Sequence, residues 1–94
     1  MHIVNYKAIR LFFATYPDAR PALDRWYRLT KRARWASFAE LRTTFASADF
    51  VAPCVVFDIG GNKYRLVAEV NYRSKLLFVR CIMTHAEYQK GAWR

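Results

Sequence analysis

Apolar residues change their spacing once along this chain, near Phe50, and that change places helices in the N-terminal half and strands in the C-terminal half. Before it they recur at the 3.6-residue period of helices; after it they alternate, in runs rich in Val, Ile, Tyr and Phe. The pattern implies an α+β fold. With 94 residues, both halves have to share one thin core in a single small domain spanning 1–94.

In the helical half, Met1 to Val4 reads as a short edge strand. Asn5 then caps a helix whose apolar positions are Ala8, Ile9, Phe12, Phe13 and Tyr16, and Pro17 stops it. Asp18 is placed to cap a second helix running to about Ala33, with Pro21 in its first turn and Leu23, Trp26, Leu29 or Thr30, and Ala33 on one face. Ser37-Phe-Ala-Glu40 is a capping box that opens a short third helix to about Thr44.

In the strand half, Gly60-Gly61 and Arg73-Ser74 mark two turns between three antiparallel strands. Two-residue loops would set residue 59 against 62 and residue 72 against 75, which assigns every side chain a face. One face collects Val55, Phe57, Ile59, Tyr64, Leu66, Ala68, Val70, Tyr72, Leu77, Val79, Cys81 and Met83, and is the one the helices should cover. The other collects Asp58, Lys63, Arg65, Val67, Glu69, Asn71, Leu76, Phe78, Arg80 and Ile82, and is left for function. In this register Arg65 and Arg80 lie nearly opposite one another, and like charges so placed invite an anion between them.

Charge points the same way. Sixteen Lys and Arg against seven Asp and Glu give a net charge of +9, while 54% of residues are apolar, so the excess charge decorates a folded core and a polyanion is the expected partner. Arg20, Arg25, Arg28, Lys31, Arg32 and Arg34 crowd the second helix, opposed only by Asp24. Read alone this is a solvated face, but so many cations exceed what solubility needs, and contact with the backbone of a polyanion is the functional expectation. Cys54 and Cys81 sit in strand-like runs and read as small buried hydrophobes. His2 and His85 stand alone, without the companions a zinc site needs, so no metal is expected. No P-loop, GxGxxG or GxSxG occurs, and no cofactor is implied. No apolar run approaches the roughly 20 residues of a membrane span, and the opening Met1-His2-Ile3-Val4 lacks a leader pattern, so a cytoplasmic protein with no membrane partner is expected.

The stretch Val56-Phe-Asp-Ile-Gly-Gly-Asn-Lys-Tyr-Arg-Leu-Val67, followed by Phe78-Val-Arg80 and Thr84-His-Ala-Glu-Tyr88, resembles the HigB family of toxins from bacterial type II toxin-antitoxin modules. The opening MHIV, the YPDA between the helices, Trp35 and Phe45-Ala-Ser-Ala-Asp49 extend the likeness over essentially the whole chain. The resemblance implies a RelE-like fold, with N-terminal helices on one face of a small, mainly antiparallel sheet and a short C-terminal helix or turn. It also implies a metal-independent endoribonuclease that cuts mRNA in the ribosomal A site. It further implies silencing by a HigA antitoxin, a helix-turn-helix protein through which alone operator DNA would be reached. The family's basic strand positions fall on Lys63, Arg65 and Arg80, its C-terminal motif falls on His85 and Tyr88, and Arg73 is a weaker candidate in the second turn. Trp93, beyond that motif, packs either on the domain or on a partner.

These residue types suit RNA cleavage by its own 2′-hydroxyl, which attacks the adjacent phosphorus and expels the 5′-oxygen. The protein must supply a base, an acid and positive charge on the phosphorane. Histidine ordinarily titrates nearest neutrality, which makes His85 the first choice for proton transfer, while Lys63 either steadies charge or acts as the base. Arg65 and Arg80 can fork two donors onto phosphate oxygens. Tyr88 either stacks on a base or orients the 2′-hydroxyl. A basic RNA- or ribosome-binding module without chemistry would share the charge and the aromatics, and a DNA-binding protein is disfavoured because no helix-turn-helix pair is evident.

Overall fold

The structure, a computed structural model, describes residues 1–91 and Trp93. Its helices are α1 (Tyr6–Thr15), α2 (Arg20–Arg32), α3 (Phe38–Thr44) and α4 (His85–Lys90). Its strands are β1 (His2–Val4), β2 (Asp49–Val51), β3 (Cys54–Ile59), β4 (Tyr64–Asn71) and β5 (Leu76–Thr84). They form one sheet in the order β1-β5-β4-β3-β2, in which only β1 pairs in parallel, with β5. This is the expected α+β architecture, with one strand more than the alternation revealed. Asp49–Val51 is a three-residue edge that folds back on Cys54–Val56.

Helices α1 to α3 cover one face of the sheet. Ile9, Leu23, Trp26 and Leu41 descend from them onto Val55, Phe57, Leu66, Ala68, Leu77 and Val79. Trp26 meets Phe57 edge-on at 5.3 Å, and Phe45 meets the same ring at 5.3 Å, so one aromatic joins α2, the end of α3 and β3. The Met1 ammonium donates to the carbonyls of Thr30 (3.2 Å), Lys31 (3.2 Å) and Ala33 at the C-terminal end of α2, where a positive charge meets the negative end of the helix dipole. No helix among the described residues is long and apolar enough to cross a membrane.

Four local expectations need correction. The β3–β4 turn pairs Ile59 with Tyr64, so its loop is four residues, with Gly60 (φ +64°) and Gly61 (φ +69°) both left-handed. The pairing moves by two residues, which preserves parity and leaves each side chain on its expected face. Asp18 does not cap α2, because Pro17–Ala19 form a 3-10 turn and the helix starts at Arg20. Its carboxylate instead accepts from the Tyr64 hydroxyl (2.7 Å) and from Lys63 Nζ (3.3 Å). Asn5 does begin α1, but in a left-handed conformation that sends its side chain to the Val79 carbonyl at 3.0 Å rather than to the helix amides.

The fourth correction matters most for the site. Leu77 and Val79 face the helices as expected, opposite Val70 and Ala68, but Arg80 is an extra residue in β5. Cys81, not Arg80, pairs with Val67, next to the Ala68–Val79 pair. This bulge reverses the alternation beyond it. Cys81 and Met83, expected beneath the helices, lie on the other face with Val56 and Val67, whereas Ile82 turns inward to the main core.

The Asp18 contacts set a pH dependence. Hydrogen bonding to Tyr64 holds the Asp18 carboxyl below its usual range, and the same bond pushes the Tyr64 phenol up to about 12. The carboxylate's contribution is complete above its unfolded value of about 3.9 and is lost as pH falls through the lowered folded value. The phenol's contribution is complete below about 10 and is lost as pH rises toward about 12. Replacing Asp18→Asn should weaken the acid dependence of unfolding and bring the highest tyrosinate absorbance step down toward about 10, with Tyr64→Phe identifying that step. Truncating Trp26→Ala, at a residue 2% exposed, should cost about 3–5 kcal/mol in denaturant unfolding.

Candidate active site

The sheet face away from the helices carries the functional groups at the end where β4 begins and β5 ends. There, Thr84 and Glu87 form a reciprocal capping box, with Glu87 N to Thr84 Oγ1 at 3.2 Å and Thr84 N to Glu87 Oε1 at 2.9 Å. The signal for it is the T-x-x-E spacing of Thr84 and Glu87, which resolves the expected C-terminal helix or turn as a helix. The box starts α4 at His85, whose amide donates to the Lys63 carbonyl at 2.9 Å. His85 Nε2 lies 3.0 Å from Gln89 Nε2, and Nδ1 is buried with no partner among the described residues.

Arg65 is buried, its side chain 9% exposed. Its Nε meets Asp58 Oδ1 at 3.0 Å, Nη1 donates to the Tyr64 carbonyl at 3.1 Å, and Nη2 donates to Asn62 Oδ1 at 2.7 Å. Above the guanidinium lies Tyr88, whose ring centroid is 5.5 Å from Cζ. Tyr88 in turn stacks on Trp93 at 5.1 Å and 16°. Trp93 therefore packs on its own domain, and its Nε1 donates to the Tyr88 carbonyl at 3.3 Å.

Lys63 and Arg80 stand apart from this group. Lys63 adjoins His85 through the backbone, but its side chain, 68% exposed, reaches from the β3–β4 turn to Asp18. Arg80 sits at the bulge, 52% exposed, with Nη2 at 2.6 Å from Glu69 Oε2 and Cζ 5.6 Å from the Phe78 ring. The Glu69 bond raises the already high pKa of this guanidinium. Among the described residues no hydrogen bond or ion pair joins Arg80 to Arg65. The expected repulsion between them is relieved in another way: Lys63, Arg65 and Arg80 each have a carboxylate of their own, in Asp18, Asp58 and Glu69.

Beside Arg80, a groove of about 440 Å³ is lined by Val51, Pro53, Cys54, Val67, Cys81 and Trp93. Both thiols are half-buried in its wall, and burial pushes each up from its ordinary value. Arg73 is elsewhere. It lies in the β4–β5 turn, past Asn71, which is itself about 23 Å along β4 from Tyr64 at about 3.3 Å per residue. Arg25, Arg28, Lys31 and Arg32 are exposed on α2, in the helix layer; Lys31 lies over the Tyr27 ring at 5.6 Å, and Arg25 reaches the β3–β4 turn, where it lines one pocket with Asp58 and Gly60.

Residues 19–91 match the HigB_toxin family, described as the RelE-like toxic component of a toxin-antitoxin system. The chain belongs to the HigB toxin family. It is 34% identical over 93 residues to the mRNA interferase HigB of Escherichia coli O6:H1, an alignment covering 96% of this chain and 90% of that protein. It is 30% identical over 91 residues to the mRNA interferase toxin HigB of Escherichia coli K12, covering 94% and 88%. The mRNA interferase HigB of Shigella flexneri matches to the same extent. As a HigB toxin the protein has an antitoxin counterpart and an RNA target, and the family match spans β3 to α4, which hold Arg65, His85 and Tyr88.

Carboxylate pairing of Arg80 gives this site a measurable reserve of charge. Replacing Glu69→Gln should free the guanidinium, tighten binding of single-stranded RNA, and steepen its salt dependence by about 0.7 in log Kd per log salt, the contribution of one added phosphate contact. Filter binding across a salt series measures both.

Proposed function

We propose that this HigB toxin is a ribosome-dependent mRNA endonuclease that cuts translated mRNA in the ribosomal A site by attack of the 2′-hydroxyl. A HigA-type helix-turn-helix antitoxin silences it in the cytoplasm and brings it to operator DNA. The observation that carries the reading is the joint placement of His85, Tyr88 and Arg65 where β4 meets α4, in a chain alignable over nearly its full length with proteins named mRNA interferases.

In this reading His85 transfers the proton, since its backbone is pinned at the first turn of α4 while its ring has, among the described residues, a local hydrogen-bond partner in Gln89. Lys63 is the second candidate for the base, and its carbonyl already receives the His85 amide. Arg80 and Lys63 are the exposed cations, able to leave Glu69 and Asp18 for phosphate oxygens. Tyr88 offers a ring for stacking on a base or a hydroxyl for orienting the 2′-oxygen. The α2 cations Arg25, Arg28, Lys31 and Arg32 serve as a docking surface for ribosomal RNA on the helix layer, with Arg73 at the far end of the sheet as a further backbone contact.

One observation favours a binding module without chemistry, namely that all three strand cations are already neutralised by carboxylates. Cleavage of ribosome-bound mRNA separates the two. His85→Ala should lower the single-turnover rate by about 10²–10⁴-fold while ribosome affinity stays within a few fold, and the pH-rate profiles of His85→Ala and Lys63→Ala should identify the base. Cleavage undiminished in His85→Ala, Lys63→Ala and Arg80→Ala would remove the proposed chemistry.

A further inference from the structure

We infer that Asp58 is a positioning residue: with Asn62, it clamps the Arg65 guanidinium beneath Tyr88, so that Arg65 acts on the substrate through the orientation of Tyr88 rather than as a phosphate ligand. The inference rests on the reading of Tyr88 as a substrate-facing group.

The clamp is built into one hairpin. Asp58 and Arg65 are direct cross-strand partners on β3 and β4, and Asn62 lies in the turn between them. All three guanidinium nitrogens have partners, Asp58 at 3.0 Å, the Tyr64 carbonyl at 3.1 Å and Asn62 at 2.7 Å. A guanidinium held at each nitrogen has a fixed plane. With 9% of its side chain exposed, against 52% for Arg80 and 68% for Lys63, Arg65 offers an arriving phosphate little access. Its charge is offset by Asp58 in a setting where a buried pair is screened less than a surface pair. What it presents outward is a flat cationic face under the Tyr88 ring, 5.5 Å from the centroid. Tyr88 is then held between that cation and the Trp93 indole, stacked at 5.1 Å and 16°.

The two possible roles of Arg65 predict opposite results for Asp58→Asn. If Arg65 binds phosphate, removing the neighbouring carboxylate exposes its charge and tightens binding to the programmed ribosome, with cleavage kept. If Arg65 orients Tyr88, the clamp loosens, the single-turnover rate falls about tenfold and affinity stays within about twofold. We expect the second result, together with a weaker near-ultraviolet circular dichroism signal from the Tyr88–Trp93 stack. In a Tyr88→Ala background Asp58→Asn should have no further effect on the rate, because both changes break one chain of contacts. Asn62→Ala, which loosens the clamp without altering charge, should reproduce a smaller loss of the same kind and stands in if Asp58→Asn fails to fold. Tighter ribosome binding with an unchanged rate, or additive losses of Asp58→Asn and Tyr88→Ala, overturns the inference. An unaltered chain that cleaves no mRNA would instead overturn the nuclease reading, and the dichroism of Asp58→Asn or Asn62→Ala would still decide whether the clamp holds Tyr88.

Discussion

The extra residue at Arg80 controls the geometry of the last part of the chain. Up to Val79, β5 is an ordinary strand whose alternate side chains enter the helix-covered core. Beyond it the side chains have changed sides, and Thr84 arrives opposite Tyr64 in the shifted register. Had the ladder continued without the bulge, Cys81 and Met83 would compete for the main core and the start of α4 would be offset by one residue. As folded, His85 closes onto the Lys63 carbonyl, and Val56, Val67, Met83 and Tyr88 form a second, smaller apolar cluster with Trp93. The site therefore rests on a floor of its own, away from the core that carries most of the burial.

Electrostatically the molecule is divided. Of its seven acidic residues, Asp18, Asp58 and Glu69 neutralise Lys63, Arg65 and Arg80. Asp24 pairs with Arg20, and Glu87 closes the full capping box of α4. The Glu40 carboxylate accepts from the Ala36 amide just ahead of α3, so the expected Ser37–Glu40 capping box is formed on the serine side only. The net charge of +9 is thus concentrated on the helix layer and the turns, while the candidate site is locally close to balance. Long-range attraction of a polyanion and stabilisation of one phosphorane are then separate tasks with separate residues.

Much of this could be read from spacing. The first three helices, the strand runs, the edge strand at Met1 to Val4 and the basic strand residues follow from periodicity and a few capping and turn residues. The misplaced features share a physical cause. Asp18 and Asn5 stand at helix starts where capping is the common use of such side chains, yet each is taken by a partner far along the chain, Tyr64 and Val79. A bulge leaves little trace in composition, because Arg80, Cys81, Ile82 and Met83 suit either face of a strand. The partner carboxylates of the three cations were equally out of reach, since Asp18 and Glu69 are 45 and 11 residues from the groups they hold.

The sequence by itself determined that helices precede strands, which residues are apolar enough to bury, and which family the motifs from Val56 to Tyr88 belong to, because these depend on local period and residue chemistry. Only the tertiary structure decided which cations stay exposed, which is locked under Tyr88, and on which face the end of β5 displays its side chains. Those outcomes depend on register and on contacts between distant segments, and a single added residue is enough to reverse them.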